Sequence, residues 1–556
     1  MISSMIRAVV AGSAIAGVAE AGRLSVVAHD GLTRVNHGAM MPGQNKADAD
    51  AYCYGLYPES VPCPIVATTF DQLIDHDKPE LGTFKQRVWY NAEFYAGPGA
   101  PLLLSTPGEG AADHYQPYTM NQTLAGAYMQ DQKGAAIVLE HRYWGDSSPY
   151  DTINAKTLQA LTLDQSLRDL VYFARNVDLP FTNGTSHPDK SPWTFLGGSY
   201  PGALVAYMNK LYPGTFWTYH ASSAVVEPIG DYWRYFDPVS AAMPANCSKD
   251  WKLAIKQLDT MMDSRDAAGR TALKSKFGLG ELADDDFAST LLAPLDSWQG
   301  NKFYTKPKDV VLYNLCDYIE GVGNHNENNT VVPGAEGVGS CKALHGLAKY
   351  MREVFVPKGP CDGQDWPNGS LQCFNTHNLT SPIYTDRTVR NNYNLQWLWM
   401  CCNEPFQHWQ ASFPGDIGMV SKYYTTQMAR DQCAPLFPDT DGFQYGLKLG
   451  RTTEQIVEKT TGWKNVNTTR LIYVNGEFDP WRPETVSSDE RPGGPLQFTD
   501  DVPVFVIKNG THCADLRLAS ANANSALAAQ VAQMRSIMGK WTAEFYTEKG
   551  IKRPGF

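Results

Sequence analysis

A serine, an aspartate and a histidine stand in this sequence where together they could run nucleophilic hydrolysis. Ser199 lies in Thr194-Phe195-Leu196-Gly197-Gly198-Ser199-Tyr200-Pro201-Gly202-Ala203-Leu204-Val205, Asp479 in Gly476-Glu477-Phe478-Asp479-Pro480-Trp481, and His512 in Lys508-Asn509-Gly510-Thr511-His512. A serine hydroxyl is a poor nucleophile until a base takes its proton. An imidazole suits that role, and a carboxylate fixes its tautomer and stabilises its charged form. Singly, Asp479 and His512 read as a loop carboxylate and a surface histidine. Jointly they follow the order serine, acid, histidine, and His512 is the only histidine beyond Asp479.

The surroundings of Ser199 give the hydroxyl a reason to be there. Apolar and β-prone residues run into paired glycines, then the serine, then a helix-like run (Ala203, Leu204, Ala206, Tyr207, Leu211). That is a strand, a tight turn and a helix with the serine at the tip. Glycines avoid the Cβ clashes of such a turn, and the helix N-terminus favours developing negative charge. One residue departs from the G-x-S-x-G pattern, which wants a small residue where Pro201 stands; Gly202 follows it. Proline is tolerated in a first helical turn, where its missing N–H loses no bond. The Tyr200 N–H is an expected oxyanion donor. A second is expected from the turn Gly108-Glu109-Gly110, through Gly108 or Gly110.

The elements that must position these groups are legible as alternating strands and helices. Phe84–Tyr90 alternates like a strand, and Pro101–Thr106 is a short buried one ending in Pro107-Gly108-Glu109-Gly110. Ala135–Glu140 is another, running into His141-Arg142-Tyr143-Trp144-Gly145, and Leu158–Asn176 has helical spacing. Arg470–Gly476 and Val502–Ile507 are late strands that put Asp479 and His512 on loops at their carboxyl ends. A helix from roughly Leu516 to Tyr546 closes the pattern. Such alternation means a mainly parallel α/β sheet, and with the serine turn it predicts an α/β-hydrolase fold.

Between residues 226 and 435 the texture changes to helical patterns rich in Trp, Asn and Cys. Eight of the 11 cysteines fall there: Cys247, Cys316, Cys341, Cys361, Cys373, Cys401, Cys402 and Cys433. This reads as an inserted, mainly helical, disulfide-braced cap domain, with 51–225 and 436–556 forming the catalytic domain.

Composition sets the remaining bounds. With 556 residues, 43% hydrophobic and 19% charged, the chain can build a large core and more than one unit. A formal net charge of −11 forces no basic face, which argues against a nucleic-acid partner. Arg7, the apolar run Ala8–Val18 and Ala19-Glu20-Ala21 read as a secretory signal over 1–21, with 22–50 an N-terminal arm or pro-segment. No stretch is long and apolar enough to span a bilayer, so no membrane partner is expected. The cysteines lack the C-x-x-C spacings of a zinc site, so disulfides are expected and metal is not. An odd count leaves at least one thiol unpaired, and Cys53 with Cys63 flanks a proline-rich loop they could staple. Asn-x-Ser/Thr sequons at Asn121, Asn183, Asn246, Asn328, Asn368, Asn378, Asn467 and Asn509 add to the picture of an exported glycoprotein. Secretion is the expected destination, with vacuole or lysosome as the alternative.

Several blocks together carry a family resemblance: Gly108-Glu109-Gly110, His141-Arg142-Tyr143-Trp144-Gly145, Gly197-Gly198-Ser199-Tyr200, Asn475-Gly476-Glu477-Phe478-Asp479-Pro480-Trp481 and His512-Cys513-Ala514-Asp515-Leu516. In this order the chain resembles, from about residue 50 onward, the proline-specific serine peptidases. These include lysosomal Pro-Xaa carboxypeptidase, dipeptidyl peptidase II and fungal acid prolyl endopeptidases. Trp399-Met400-Cys401-Cys402-Asn403-Glu404-Pro405-Phe406 is similar to that family's Cys-x-Glu segment, though Pro405 departs where a glycine is usual nearby. The resemblance implies cleavage after proline in peptides or proteins, no cofactor and activity at acid pH. It leaves open the endo-, carboxy- or dipeptidyl mode and the oligomeric state. A prolyl pocket should be apolar and aromatic, which makes Trp399, Trp409 and Trp481 candidates, although such residues are more often plain core. Glu109 and Glu404 could contact a substrate terminus or merely order loops.

Two other functions fit the fold: a carboxylesterase or lipase, and a catalytically inactive hydrolase-fold binding module. The Asn-Gly-Glu-Phe-Asp-Pro-Trp and His-Arg-Tyr-Trp-Gly blocks weigh against the first. Retention of serine, aspartate and histidine weighs against the second. Acid activity poses a physical question, because a protonated imidazole is no base. Desolvation would favour the neutral ring and Asp479 the charged one.

Overall fold

The computed structural model describes residues 63–322, 333–361, 366–404, 406, 413–465 and 468–556. The expected signal (1–21) and arm (22–50), together with Cys53, Asn328, Pro405, Trp409 and Asn467, lie outside the described residues.

The strands are β1 (Ile65–Leu73), β2 (Thr83–Asn91), β3 (Leu102–Ser105), β4 (Ala135–Leu139), β5 (Trp193–Gly198), β6 (Thr218–Ser222), β7 (Leu471–Gly476) and β8 (Val504–Ile507). They form one eight-stranded sheet in the order β1-β2-β4-β3-β5-β6-β7-β8. β1 and β2 run antiparallel at one edge, and every pair from β4 through β8 is parallel. This is the α/β-hydrolase arrangement.

Alternation along each strand feeds two cores. Leu104, Ile137, Phe195 and Tyr473 face one side, and Leu103, Val138, Leu196 and Val474 the other. The second face is covered by α1 (Leu124–Gln132) and by the C-terminal helix. The first is covered by α2 (Leu163–Asn176) and α3 (Tyr200–Leu211). Thr162 begins α2 by accepting the Gln165 N–H on its side chain, so the helix starts there rather than at Leu158.

Between β6 and β7 the described chain is helical and adds no strand to the sheet. Its larger helices are α4 (Ala245–Asp263), α5 (Val311–Glu320), α6 (Ser340–Tyr350) and α7 (Leu395–Asn403), of which the first three pack together. Disulfides Cys247–Cys316, Cys361–Cys373 and Cys402–Cys433 brace this insertion. Cys341, Cys401 and Cys513 are free thiols, and Cys63 is disulfide-bonded. The C-terminal helix α8 spans Ser525–Lys549 rather than starting near Leu516. The reason is Asn524, whose side chain accepts the Leu527 N–H and ends the preceding short helix Leu518–Ala523. Among the described residues no helix is long and apolar enough to cross a membrane.

Candidate active site

The turn at Ser199 has φ 63° and ψ −127°, a left-handed geometry that a side chain tolerates only when its surroundings impose it. Those surroundings are visible. The Ser199 N–H donates to the Ser222 carbonyl at 2.9 Å, and the Ser199 carbonyl accepts the Ala203 N–H at 2.9 Å as α3 begins. A β-carbon on Gly198 would lie 2.8 Å from Cys513 Sγ and 2.7 Å from Leu516 Cδ1. The glycine therefore lets the histidine loop close onto the serine turn.

Sheet register gathers the three loops. Gly198 pairs with Ser222, Ser222 with Val474, and Gly476 with Ile507, so the chain leaves β5, β7 and β8 at the same edge. His512 Nδ1 lies 3.0 and 3.1 Å from the two Asp479 carboxylate oxygens. Asp479 Oδ1 also accepts the Trp481 N–H at 2.9 Å, which orients the carboxylate. Ser199 and Asp479 are fully buried, and His512 is 1% exposed. Ser199 Oγ and His512 Nε2 are each buried with no hydrogen-bond partner, the two atoms between which a proton would pass. In ligand-free hydrolases this bond often forms only when substrate arrives.

Charge around the site is set by burial and a few neighbours. Burial opposes charging of His512, but the Asp479 carboxylate and Cys513 outweigh it and push the imidazole up to about 10. Glu109 is pushed up to about 8 by burial, with His512 pulling the other way, and neither carboxyl oxygen has a partner. Burial also raises Glu404 to about 7, against the pull of Arg451, 3.8 Å away, and of Lys459.

The expected oxyanion donors sit together. Tyr200 is the first residue of α3, so its N–H has no intrahelical acceptor. Gly108 has φ +80°, and a β-carbon there would meet the Pro201 ring and the Tyr200 ring. The intervening Glu109 N–H is used by the Pro107 carbonyl at 3.1 Å. That leaves Gly108 and Gly110 as the loop's candidates.

The His-Arg-Tyr-Trp-Gly block serves as scaffold for this loop. Buried Arg142 donates through Nε and Nη2 to Asp169, at 2.7 and 2.5 Å. His141, held neutral by burial at a pKa of about 4, places Nε2 3.2 Å from the Tyr200 hydroxyl. The Trp144 indole donates to Asn394 Oδ1 at 2.8 Å, and Asn394 Nδ2 donates to the Glu109 carbonyl at 2.9 Å. The insertion thereby grips the Gly108–Gly110 loop.

The candidate pocket tryptophans divide. Trp481 is fully buried, stacked on Tyr232 with centroids 5.5 Å apart, and donates to Gln299 Oε1 at 2.9 Å. Trp399 is also fully buried; it donates to the Leu161 carbonyl at 3.2 Å and packs edge-on to Phe437. Sequence reading overlooked Trp397, whose ring lies 5.2 Å from that of Tyr200, with Phe406 at 5.6 Å from the same ring. Residues two apart on a helix point to opposite sides, so Trp397 and Trp399 could not both face Tyr200. A cavity of about 30 Å³ lies beside the elbow between Pro107, Tyr115, Gly197 and Pro201, room for water rather than a side chain. The described sequon asparagines Asn121, Asn183, Asn246, Asn368, Asn378 and Asn509 are all exposed or half-buried.

Among the described residues one group has metal-ligand spacing: Asp285, Asp286 and His377 in the insertion. Its members already have partners: Asp286 accepts from the Thr376 N–H and Oγ1–H, and His377 Nε2 lies 2.9 Å from Asp285 Oδ1.

Residues 72–534 match the family model described as serine carboxypeptidase S28. Serine protease vicPb and serine protease vicPa of Bipolaris victoriae (strain FI3) are each 34% identical, over 86% and 89% of this chain and 89% and 94% of their own lengths. A probable extracellular serine carboxypeptidase of Arthroderma benhamiae is 26% identical over 72% of this chain and 55% of its own.

Proposed function

This chain belongs to the serine carboxypeptidase S28 family and is a serine peptidase, and we propose that it cleaves peptides on the carboxyl side of proline through a Ser199-His512-Asp479 triad. The observation that carries the reading is the pairing of His512 Nδ1 with Asp479 while His512 Nε2 and Ser199 Oγ stay buried and unpartnered.

In the proposed reaction Ser199 Oγ attacks the prolyl carbonyl while His512 Nε2 takes its proton. The tetrahedral oxyanion is met by the Tyr200 N–H and by Gly108 or Gly110. His512 then protonates the leaving amine, and an acyl-enzyme on Ser199 remains. Water, deprotonated by His512, releases the acid and restores the serine hydroxyl. Asp479 holds the imidazole tautomer throughout. No metal or cofactor has a part in these steps.

The helical insertion acts as a cap over the site, with Glu109, Glu404, Trp481 and the Tyr200–Trp397–Phe406 rings as the groups a substrate would meet on opening. Export as a glycoprotein is supported by the leader-like start, the disulfides and the accessible sequons. Work at acid pH is proposed for the peptide complex, where the cap excludes water.

The test pairs two assays. A fluorophosphonate probe should label Ser199, and a prolyl-peptide substrate should exceed a short acyl ester in kcat/KM. Mass mapping of one long proline-containing peptide then reads the mode of cleavage. Labelling elsewhere, or cleavage with no preference for proline, would overturn the reading.

A further inference from the structure

One short stretch of the insertion, Trp298–Lys302, reaches both of the loops that carry Asp479 and His512. The Trp298 indole donates to the Phe478 carbonyl at 2.9 Å, and Gln299 Oε1 accepts the Trp481 indole N–H at 2.9 Å. These two bonds bracket Asp479. On the other loop, Thr511 Oγ1 donates to the Asn301 carbonyl at 2.5 Å, and Lys302 Nζ donates to the backbone carbonyl of His512 at 2.9 Å. Three of the four ties use neutral groups. The fourth is an ammonium, although a neutral donor would have served the carbonyl as well.

The charges around it give the ammonium a purpose. Lys302 faces Cys513, Arg517, Asp479 and Asp515; His512 faces Asp479, Cys513 and Glu109. Asp515 is already taken up by His220 Nε2 at 2.8 Å and Ser222 Oγ at 2.5 Å. Asp479 favours the imidazolium, whereas Lys302 is a cation bonded to the backbone carbonyl of the same residue. Burial lowers the Lys302 pKa, while Cys513, Asp479 and Asp515 hold it up against burial and Arg517.

We propose that Lys302 is a positioning residue for His512, a cation carried on the insertion that fixes the histidine backbone and biases the ring toward its neutral, proton-accepting form. The inference rests on His512 being the general base. It makes the insertion part of the base's chemistry as well as a barrier to water.

The experiment measures kcat/KM against pH on a prolyl-peptide substrate for wild type, Lys302→Met, Lys302→Arg, Thr511→Ala and His512→Ala, with melting curves to confirm folding. A unit charge removed from this position shifts a neighbouring imidazole by about one pH unit. Lys302→Met should therefore move the acid limb up by about that much and lower kcat/KM about tenfold well below it. Lys302→Arg should leave the limb in place. Thr511→Ala removes a neutral tie from the same loop and should lower kcat without moving the limb. If Lys302→Met does not fold, Lys302→Gln, which keeps a donor without the charge, is read in its place. An unmoved limb in the neutral variant, or an equal shift in Thr511→Ala, overturns the proposal. Activity retained by His512→Ala would instead overturn the triad itself.

Discussion

A β-carbon on Gly108 would lie 2.4 Å from Cγ of Pro201, so the proline ring occupies the space that a side chain on Gly108 would need. The proline that departs from the elbow pattern and the glycine of the proposed oxyanion loop are a matched pair. Each residue is explained by the other.

Gly108→Ala should accordingly push the oxyanion loop away from Tyr200. The expected loss in kcat is on the order of 10²-fold, as when one oxyanion donor is misplaced. Adding Pro201→Ala should return at least part of it by vacating the ring's space. Steady-state kinetics on the single and double variants measure this, and a double variant no better than Gly108→Ala refutes the pairing.

Ser199→Ala should cost about 10⁴-fold or more in kcat and abolish fluorophosphonate labelling while leaving the melting temperature near wild type. Alanine keeps the Cβ, so the φ 63° strain at this position is unchanged by the substitution. Activity within tenfold of wild type removes Ser199 from the mechanism.

The sheet and the loops at its edge were legible because short buried strands ending in Gly-rich or charged turns are strong local signals. β3, β4, β5, β7 and β8 all fall where alternation or apolar runs predict them. β1 and β6 escaped: Ile65–Leu73 carries threonines and an aspartate, and Thr218–Ser222 reads Thr-Tyr-His-Ala-Ser. His220 is core-facing only because Asp515, 295 residues away, accepts its Nε2–H. Pairings of that range leave no mark on local sequence. The same limit hid Lys302 and Trp397, whose significance depends on what the fold sets against them.

The cysteines give a prediction without catalysis. Alkylation of the native protein should modify Cys341, which is exposed, while Cys401 and Cys513 react only after unfolding. Peptide mapping without reduction should recover Cys247–Cys316, Cys361–Cys373 and Cys402–Cys433. Rapid native alkylation of these six cysteines would contradict an oxidised, exported fold.

The pH dependence follows from the sign of the His512 shift. A base works only when neutral, so a raised imidazole pKa moves the acid limb of kcat/KM, which reports the free enzyme, to higher pH. With His512 raised by Asp479, that limb should lie above the ordinary histidine value of about 6.5. Acid activity then requires that bound peptide, by excluding water, favour the neutral ring in the complex. The expected signature is a kcat that stays flat below about pH 6 while kcat/KM falls. If kcat drops together with kcat/KM, the peptide complex titrates like the free enzyme and a neutral-to-alkaline optimum replaces the acid one.

Glu109 offers the sharpest test of what the site presents to a peptide. Burial holds its carboxyl neutral up to about pH 8, so below that it carries one O–H donor and one carbonyl acceptor, as a glutamine amide carries donors and an acceptor. Glu109→Gln should therefore behave within a few-fold of wild type at pH 5 to 7, the range below its titration. Above about pH 8 the two should part, because the wild-type carboxyl ionises and favours the His512 imidazolium while the amide does not. The variant should then keep the higher kcat/KM on the alkaline side. Glu109→Ala, which removes donor and acceptor together, should lose activity at every pH. Should Glu109→Gln instead lose a hundredfold or more at pH 5, the group acts as a carboxylate. A site holding an anion there would fit the ammonium end of a peptide and favour release of N-terminal dipeptides over cleavage within a chain.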